Sequence, residues 1–490
     1  MRISSQYISD QFLASIEQTQ AELAVTEQQI SSGKAYQNAA DNPIAAAQAV
    51  SLQSTLDTLG QYATNANLAQ SRLSVEDSTL SSVSSVLASV RTTVVQASNS
   101  SLSASDLASL GASVSQQLQS LLQLANTQDG SGQYLFSGSI STSVPFVTAQ
   151  GGAVSYQGDS QTRQIQIGSG RSVQDGDAGD RVFNLVKNGN GTFQVGPGTN
   201  TGTGVVGATS VTNPGAYSGD PLKVTFSVPT TAFSAAAGSA NTGSGTIATP
   251  TSTLTSGTGQ PTTTITFVTA TSYTLTTGGT TSAPINFTPG ASISANGWTT
   301  SVSGTPAAGD TFTVAPAQTT YSVTDTTTNT TVVQPTAYTS GQSIAVPGAG
   351  LAFTLSGAPA NNDTFTISPS ANQSIFTTLQ NLVTALNAPT GGTSQAANLQ
   401  NALNQGLEAI DQAVNNISAV RTDVGSRLNA ITSQSTVNSN TTLELTKSLS
   451  AVQDTDYAAA ITTLSEQQTS LQAAEQSFAS LKKLSIFNFL

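Results

Sequence analysis

Residues 52–94 read LQSTLDTLGQYATNANLAQSRLSVEDSTLSSVSSVLASVRTTV, and an apolar side chain recurs at every seventh position. The recurring positions are Leu52, Leu59, Ala66, Leu73, Leu80, Leu87 and Val94. A matching series near the other end consists of Leu403, Ile410, Ile417, Val424 and Ile431, followed by Tyr457, Leu464, Leu471 and Phe478. Sustained heptads are typical of helices that bury a narrow seam against another helix. The two series therefore predict that the N- and C-terminal parts of the chain pair with each other.

Punctuating residues predict where the helices begin and end. Residues 1–35 are predicted to form a helix that ends at Ser31-Ser32-Gly33, because glycine favours the left-handed conformation that terminates helices. Asp41-Asn42-Pro43 predicts a new start, since it places a capping side chain before a proline in the first turn. The later helices are predicted over residues 44–99, 106–128 and 373–387, then up to Val437 and, after a polar gap, over 443–481.

The centre of the chain has a different pattern. From Asp129-Gly-Ser-Gly132 to about Pro369, short alternating apolar segments between glycine turns predict β-strands. The Thr-rich tract 235–281 is compatible with strand or with flexible loop. Residues 304–316 (GTPAAGDTFTVAP) match residues 357–369 (GAPANNDTFTISP) at an offset of 53, which indicates two related β-units. The predicted fold class is α+β: long N- and C-terminal helices paired in an elongated coiled-coil-like bundle, with a central all-β insertion of one or two modules.

These patterns divide the chain into three parts. Residues 1–42 and 441–490 are the predicted terminal helices. Residues 43–135 and 373–440 are predicted to form an α-helical bundle, and residues 136–372 a β-rich outer insertion.

The charge balance excludes several kinds of partner. Charged residues make up 8% of the 490 residues, the formal net charge is −12, and no charged residue occurs between Val224 and Gly309. Because binding to nucleic acids and anionic membranes needs clustered Lys and Arg, we expect neither partner. The first thirty residues lack the continuous apolar core of a secretory signal, and no stretch is apolar enough to span a membrane. We therefore expect a cytosolic protein, or one that is exported without a cleaved signal peptide.

The side chains that usually carry catalysis are scarce. The chain has no cysteine and no histidine, so Ser-His-Asp, Cys-His and the usual zinc sites are impossible. A Ser–Lys dyad stays formally open, but no motif places a serine beside Lys34, Lys187, Lys223 or Lys447. Asp175-Gly-Asp177-Ala-Gly-Asp180 has the look of a calcium loop, but Val186 stands where an EF-hand needs glutamate. We predict no enzyme, no cofactor and no metal.

The two ends of the chain carry the predicted functional surface. Their seams have no third partner elsewhere in the sequence, and a two-helix pair buries little apolar area. We therefore predict that both ends are disordered in the monomer and fold when neighbouring copies pack against them. The predicted assembly-interface residues are Phe12, Ile16, Leu23, Ile30, Leu464, Leu471, Phe478, Leu481, Phe487 and Leu490.

Several ordered motifs resemble the flagellin family, and within it the subunits that join hook and filament. They are Met1-Arg2-Ile3-Ser4, Ser32-Gly33-Lys34, Asp41-Asn42-Pro43-Ile44-Ala45-Ala46, Gly132-Gln-Tyr-Leu-Phe-Ser-Gly138, Asp454-Thr-Asp456-Tyr-Ala458 and Leu484-Ser-Ile-Phe-Asn-Phe-Leu490. The resemblance covers about 1–185 and 373–490 and leaves 190–370 uncovered. It implies a structural, extracellular role in the bacterial flagellum after export through the flagellar type III apparatus.

The resemblance also implies a set of partners. Such subunits form a ring of copies of themselves between hook-associated protein 1 and flagellin. A cytosolic export chaperone would cover the C-terminal helix, whose apolar stripe would otherwise be exposed.

Two other functions remain open at this point. The chain could be a flagellin, the filament subunit itself, which shares helical ends and an outward insertion. It could also be a surface adhesin that acts through the β insertion, although Trp298 is its only tryptophan.

Overall fold

The computed structural model describes residues 2–254, 260–388 and 391–483, without the side chains of residues 2–6, Leu481 and Lys483. The helices of this part are α1 Arg2–Ser32, α2 Pro43–Ala97, α3 Ala104–Ala125, α4 Ile375–Leu386, α5 Thr393–Gln453 and α6 Tyr457–Lys483. None of the described helices is long and apolar enough to cross a membrane. The α+β prediction is confirmed, because strands fill the chain between α3 and α4.

The predicted helix ends are largely confirmed at the N-terminal side. Gly33 follows α1 with φ +71°, and the Asn42 side-chain oxygen caps α2 by accepting the Ala45 N–H at 3.1 Å. The predicted polar gap after Val437 is wrong, because α5 continues to Gln453. The reason lies at Asn438, which is 5% exposed and donates its side-chain amide to the Ile167 carbonyl at 2.8 Å. A polar residue there binds a neighbouring strand and does not end the helix.

The chain divides into two compact units. Unit 1 consists of Met1–Glu76, Thr162–Gly176 and Asp423–Leu490, and unit 2 of Asp77–Gln161 and Asp177–Thr422. In unit 1, α1 packs against α6. In unit 2, the seam residues Leu80, Leu87, Val94, Leu403, Ile410 and Ile417 are all buried, and two ion pairs link α2 to α5. Those pairs are Arg91–Asp411 at 2.8 Å and Arg421–Asp77 at 2.9 Å, so the predicted pairing of the two heptad segments is confirmed here.

Short strands fill the middle of the chain. Their bounds are β1 Phe146–Thr148, β2 Val154–Tyr156, β3 Gln164–Gly168, β4 Arg171–Gln174, β5 Val186–Lys187, β6 Phe193–Pro197, β7 Val205–Val211, β8 Leu222–Ser227, β9 Phe233–Ala237, β10 Thr246–Ile247, β11 Thr251–Ser252, β12 Thr263–Thr269, β13 Ser272–Thr277, β14 Thr280–Thr281, β15 Ile285–Asn286, β16 Ser292–Ala295, β17 Trp298–Ser303, β18 Thr311–Pro316, β19 Thr320–Asp325, β20 Thr331–Ala337, β21 Ser343–Val346, β22 Leu351–Ser356, β23 Thr364–Pro369 and β24 Asn372–Gln373. A π-helical turn, Asp180–Asn184, and a 3₁₀ turn, Pro347–Ala349, interrupt them.

Most of the strands belong to two modules, each with two sheets and its own apolar core. Module 1 has the sheets β20-β19-β8-β23-β6 and β21-β22-β7, around a core that includes Phe226, Phe353 and Phe365. Module 2 has the sheets β14-β13-β12-β18-β9, with β15 beside β13, and β10-β17-β11, with β16 beside β17. Its core includes Phe267 and Trp298.

Module 2 is a copy of module 1 that is inserted into module 1. The strands of module 2 pair with one another in the same way as their counterparts in module 1. The counterparts are, in order, β9 and β6, β10 and β7, β12 and β8, β13 and β19, β14 and β20, β16 and β21, β17 and β22, and β18 and β23. All of module 2 lies between β8 and β19 of module 1. Its two ends are adjacent, because the Ala317 N–H donates to the Ala232 carbonyl at 3.0 Å.

The repeated sequence forms the same turn in both modules. In module 2 the Asp310 carboxylate accepts backbone N–H bonds from Thr242, Gly243 and Ala307. In module 1 the Asp363 carboxylate accepts them from Thr201, Gly202 and Ala360. The sequence match covered only the C-terminal part of each module.

Candidate assembly surface of the terminal helices

The turn after α1 and the turn before α6 form one joint in unit 1. Lys34 and Asp454 face each other in an antiparallel bridge, and the Lys34 ammonium donates to the Asp454 carboxylate at 2.8 Å. The Ala35 N–H donates to the Gln453 carbonyl at 2.8 Å, and the Thr455 N–H donates to the Gly33 carbonyl at 3.0 Å. The sequence motifs around Gly33 and Asp454, which lie more than four hundred residues apart, are therefore parts of a single structure.

Electrostatics support this joint without dominating it. A hydrogen bond from the Lys34 ammonium, helped by one from the Ser450 hydroxyl, lowers the pKa of the Asp454 carboxyl. The side chains of Lys34 and Asp454 are 42% and 45% exposed, so solvent screens the pair and its contribution is at most about 1 kcal/mol. The pair fixes the register of the two turns more than it stabilises them.

Glycine is required at the centre of the joint for two reasons. Gly33 has φ +71°, a conformation that other L-residues rarely adopt. A Cβ atom there would also lie 2.9 Å from the Tyr457 hydroxyl oxygen, which belongs to the first residue of α6.

The predicted interface residues lie on the sides of α1 and α6 that are least exposed. Ile16 is 8% exposed, and the half-buried seam positions are Phe12, Leu23, Ile30, Leu464, Leu471 and Phe478. Because α1 packs against α6, these side chains contribute to the pairing within one chain. The side chain of Leu481, and Phe487 and Leu490, lie outside the described part of the chain.

Sequence reasoning missed a second set of apolar residues in unit 1. Among the described residues, the large apolar side chains that are more than half exposed all lie in this unit: Tyr7, Val25, Ile44, Val50, Val437, Leu443, Tyr457 and Ile461. Because contiguous apolar surface marks sites of protein–protein interaction, their concentration in one unit makes unit 1 the candidate assembly surface. Apart from Tyr457, which belongs to the heptad series, these residues lie off the seam, and a heptad pattern gives such positions no role.

The other sequence candidates have structural partners. Asp175 pairs with Arg163 in unit 1, and Asp177 pairs with Arg181 at 2.6 Å in unit 2. No group of three or more His, Cys, Asp or Glu among the described residues could hold a metal ion. Trp298 is 1% exposed, so its ring is not a platform for stacking a sugar.

Both terminal regions of the chain match known protein families. The family description "Bacterial flagellin N-terminal helical region" matches residues 3–142, and "Bacterial flagellin C-terminal helical region" matches residues 407–490. Both ends of the chain are therefore similar to bacterial flagellins. The matched regions contain both halves of the joint, Gly33 and Lys34 in one and Asp454 in the other.

Two curated relatives match part of the chain. The chain is 36% identical over 186 residues to flagellar hook-associated protein 3 of Salmonella typhimurium and, at the same identity and length, to that of Escherichia coli. Each match covers 38% of this chain and 58% of the relative, so the chain spans little more than half the length of the curated relatives it matches.

Two solved structures from Legionella pneumophila are similar over most of their length. Flagellar hook-associated protein 3 is 25% identical with a TM-score of 0.61, over 82% of this chain and 98% of that one. The flagellar junction protein FlgL is 26% identical with a TM-score of 0.56, over 78% of this chain and 98% of that one. These likenesses support the α+β architecture with helical ends.

Proposed function

We propose that this protein is a structural adapter of the bacterial flagellum, which forms a ring at the hook–filament junction and joins hook-associated protein 1 to flagellin. The observation that carries the proposal is the joint between Gly33-Lys34 and Asp454. It brings together the two chain ends that match the flagellin family. The relatives named hook-associated protein 3 and the junction protein named FlgL support the choice of the junction over the filament.

The terminal helices provide the assembly surface. Residues 1–42 and 441–490 form the inner tube, residues 43–135 and 373–440 make the contacts of an α-helical bundle with neighbours, and residues 136–372 project outward. The exposed apolar residues of unit 1, such as Val25 and Ile461, pack against neighbouring copies. Each side chain of this size that becomes fully buried contributes about 1.5–3 kcal/mol, so several of them suffice to drive association.

The route to the junction follows from the same surface. An export chaperone covers the C-terminal helix in the cytosol, because an exposed apolar stripe would otherwise associate prematurely. The chain then passes through the flagellar type III apparatus without loss of a signal peptide and assembles outside the cell. The terminal helices become fully ordered only in the assembly.

A truncation in the living cell tests the adapter role. A strain of the source bacterium that lacks its own copy of the gene receives the full chain or a chain without residues 457–490. We expect filaments on the hooks with the full chain, and bare hooks with flagellin released into the medium with the truncated chain. Attached filaments with the truncated chain would contradict the proposal.

A second assay separates a junction adapter from a filament subunit. Purified protein is added to short filament seeds at increasing concentration. A filament subunit elongates the seeds, whereas the adapter adds at most a short cap. Continuous elongation would show that the protein is a flagellin.

A further inference from the structure

Helix α5 covers one edge of module 1 with carboxamide side chains. Asn401 is 1% exposed, and its side-chain oxygen accepts the Val206 N–H at 2.8 Å. Asn404 donates to the Val206 carbonyl at 2.7 Å, and Gln405 donates to the Val195 carbonyl at 3.0 Å. One helix face therefore satisfies backbone groups that an uncovered strand edge would leave to water or to another chain.

Module 2 has the same edge, but no helix side chain of the described residues is hydrogen-bonded to it. Its strands β9 and β10 are the counterparts of β6 and β7, so Ala235 and Ile247 take the places of Val195 and Val206. Val195 and Val206 are 1% and 6% exposed, whereas Ala235 and Ile247 are only partly buried. In the described part of the chain, no side chain bonds to the backbone of Ala235 or Ile247.

The backbone of Ile247 points away from its own sheet. The N–H of the next residue, Ala248, donates to the Ser301 carbonyl at 2.8 Å, next to the β10–β17 pairing. Because backbone groups alternate sides along a strand, the N–H and carbonyl of Ile247 face the opposite direction. Val206 has the equivalent register against β22 and presents the same two groups to α5.

We propose that the β9–β10 edge of module 2 is a docking site for the uncharged, carboxamide-bearing face of a helix from another protein chain. The kind of occupant follows from module 1, where the equivalent groups bind Asn and Gln side chains at positions i, i+3 and i+4 of α5.

The absence of charge on the occupant follows from the composition of module 2. No charged residue occurs between Val224 and Gly309, and Asp310 is 1% exposed and bonded to backbone N–H groups. A charged side chain on the occupant would lose water at this surface without gaining an opposite charge. This proposal does not depend on the role at the hook–filament junction.

A peptide copy of α5 is the probe. The full-length protein is titrated into a labelled, helix-stapled peptide of residues 394–411 with Glu408→Gln, which leaves this helix face uncharged, and hydrogen exchange of residues 233–248 locates the binding site. We expect saturable binding and added protection at 233–248. A matched peptide with Asn401→Leu and Asn404→Leu should bind at least about tenfold more weakly, because in module 1 these two side chains make three hydrogen bonds to the strand edge.

Two substitutions at one position test the edge in the protein. Ile247→Pro removes the outward N–H, and an edge strand tolerates proline where its N–H faces solvent. Ile247→Ala keeps the N–H and serves as the matched control. Trp298 is the only tryptophan and is buried in β17 beside β10, so unchanged fluorescence shows that module 2 has folded. Ile247→Pro should weaken peptide binding at least about tenfold, and Ile247→Ala should weaken it less.

Several outcomes decide the proposal. Lack of saturable binding, equal binding of both peptides, or equal binding by both protein variants would overturn it. If Trp298 fluorescence shows that the proline variant is unfolded, the peptide comparison decides alone. Protection from hydrogen exchange at 233–248 could increase with protein concentration and be removed by the peptide. That outcome supports the proposal and identifies a second copy of this chain as the source of the helix. Protection that the peptide does not compete indicates strand pairing between copies and overturns it.

Discussion

Replacing Asn401 by alanine should weaken the attachment of α5 to module 1. The Asn401 side chain accepts the Val206 N–H at 2.8 Å and donates to the Gly204 carbonyl at 3.0 Å, and both bonds are buried. The substitution removes two hydrogen bonds of about 1 kcal/mol each and leaves a buried donor and acceptor unsatisfied, at a further cost of about 1 kcal/mol for each group that water cannot reach. We therefore expect a loss of about 2–4 kcal/mol in the free energy of unfolding of module 1 with α5.

Urea unfolding with two probes measures this effect. At typical slopes, the far-UV circular dichroism midpoint of the affected transition should fall by about 1–2 M urea. Trp298 fluorescence reports module 2 alone and should keep its midpoint, because that module has its own core. Asn415→Ala, an exposed position of the same helix, is the control and should change stability by less than about 0.5 kcal/mol. An Asn401→Ala midpoint equal to that of the control would refute the reasoning.

Three further predictions test other parts of the structure. Burial raises the pKa of the Glu408 carboxyl, so the folded protein binds that proton more tightly than the unfolded one. The free energy of unfolding should therefore increase as pH falls from the raised pKa to the ordinary value. Urea titrations at several pH values should show this pH dependence for the parent protein and its loss with Glu408→Gln. Gly33→Ala should lower the stability of unit 1 by about 1 kcal/mol or more, because φ is +71° and the new Cβ would contact the Tyr457 hydroxyl. The control is Gly60→Ala, where a Cβ has no neighbour within 4 Å. Equal thermal midpoints for the two variants would argue against this prediction. Replacing residues 232–317 by a two-residue turn should leave module 1 folded, because the two ends of module 2 are hydrogen-bonded to each other; loss of the β-sheet signal beyond the excised part would contradict the nested arrangement.

The heptad pattern predicted the pairing of helices because periodicity reports burial directly. Leu73, Leu80, Ile410 and Ile417 are each at most 1% exposed, as their spacing requires. Helix ends were predicted where glycine or a capping residue acts locally, as at Gly33. They were mispredicted near Asn438, where the polar residue has a distant partner that the local sequence does not reveal.

The nested modules could be predicted only in part. The match of residues 304–316 to 357–369 was visible because both segments are continuous. The N-terminal halves match at a different offset, Asn200-Thr-Gly202 with Asn241-Thr-Gly243, because module 2 itself is inserted between the two halves of module 1. A search for repeats at a single sequence offset detects only one of the two matching segments.

The sequence could not decide which side of the terminal helices faces a neighbouring copy, so the predicted interface residues stay a prediction. A seam such as that of Ile16 marks what packs, but sequence does not tell whether the partner is the same chain or another. The structure pairs α1 with α6 and leaves Val25 and Ile461 exposed at 55% and 56%.

The most direct test compares assembly with folding for two matched surface variants. One carries Val25→Asn and Ile461→Asn in unit 1. The other carries Leu185→Asn and Val268→Asn, which are 50% and 48% exposed in the part of unit 2 that is proposed to project outward. Both should keep the helical signal and thermal midpoint of the parent protein. Complementation of the gene-deleted strain should fail to attach filaments with the first variant and succeed with the second. Normal filament attachment with the first variant would contradict the account, because its exposed apolar residues would then have no part in assembly.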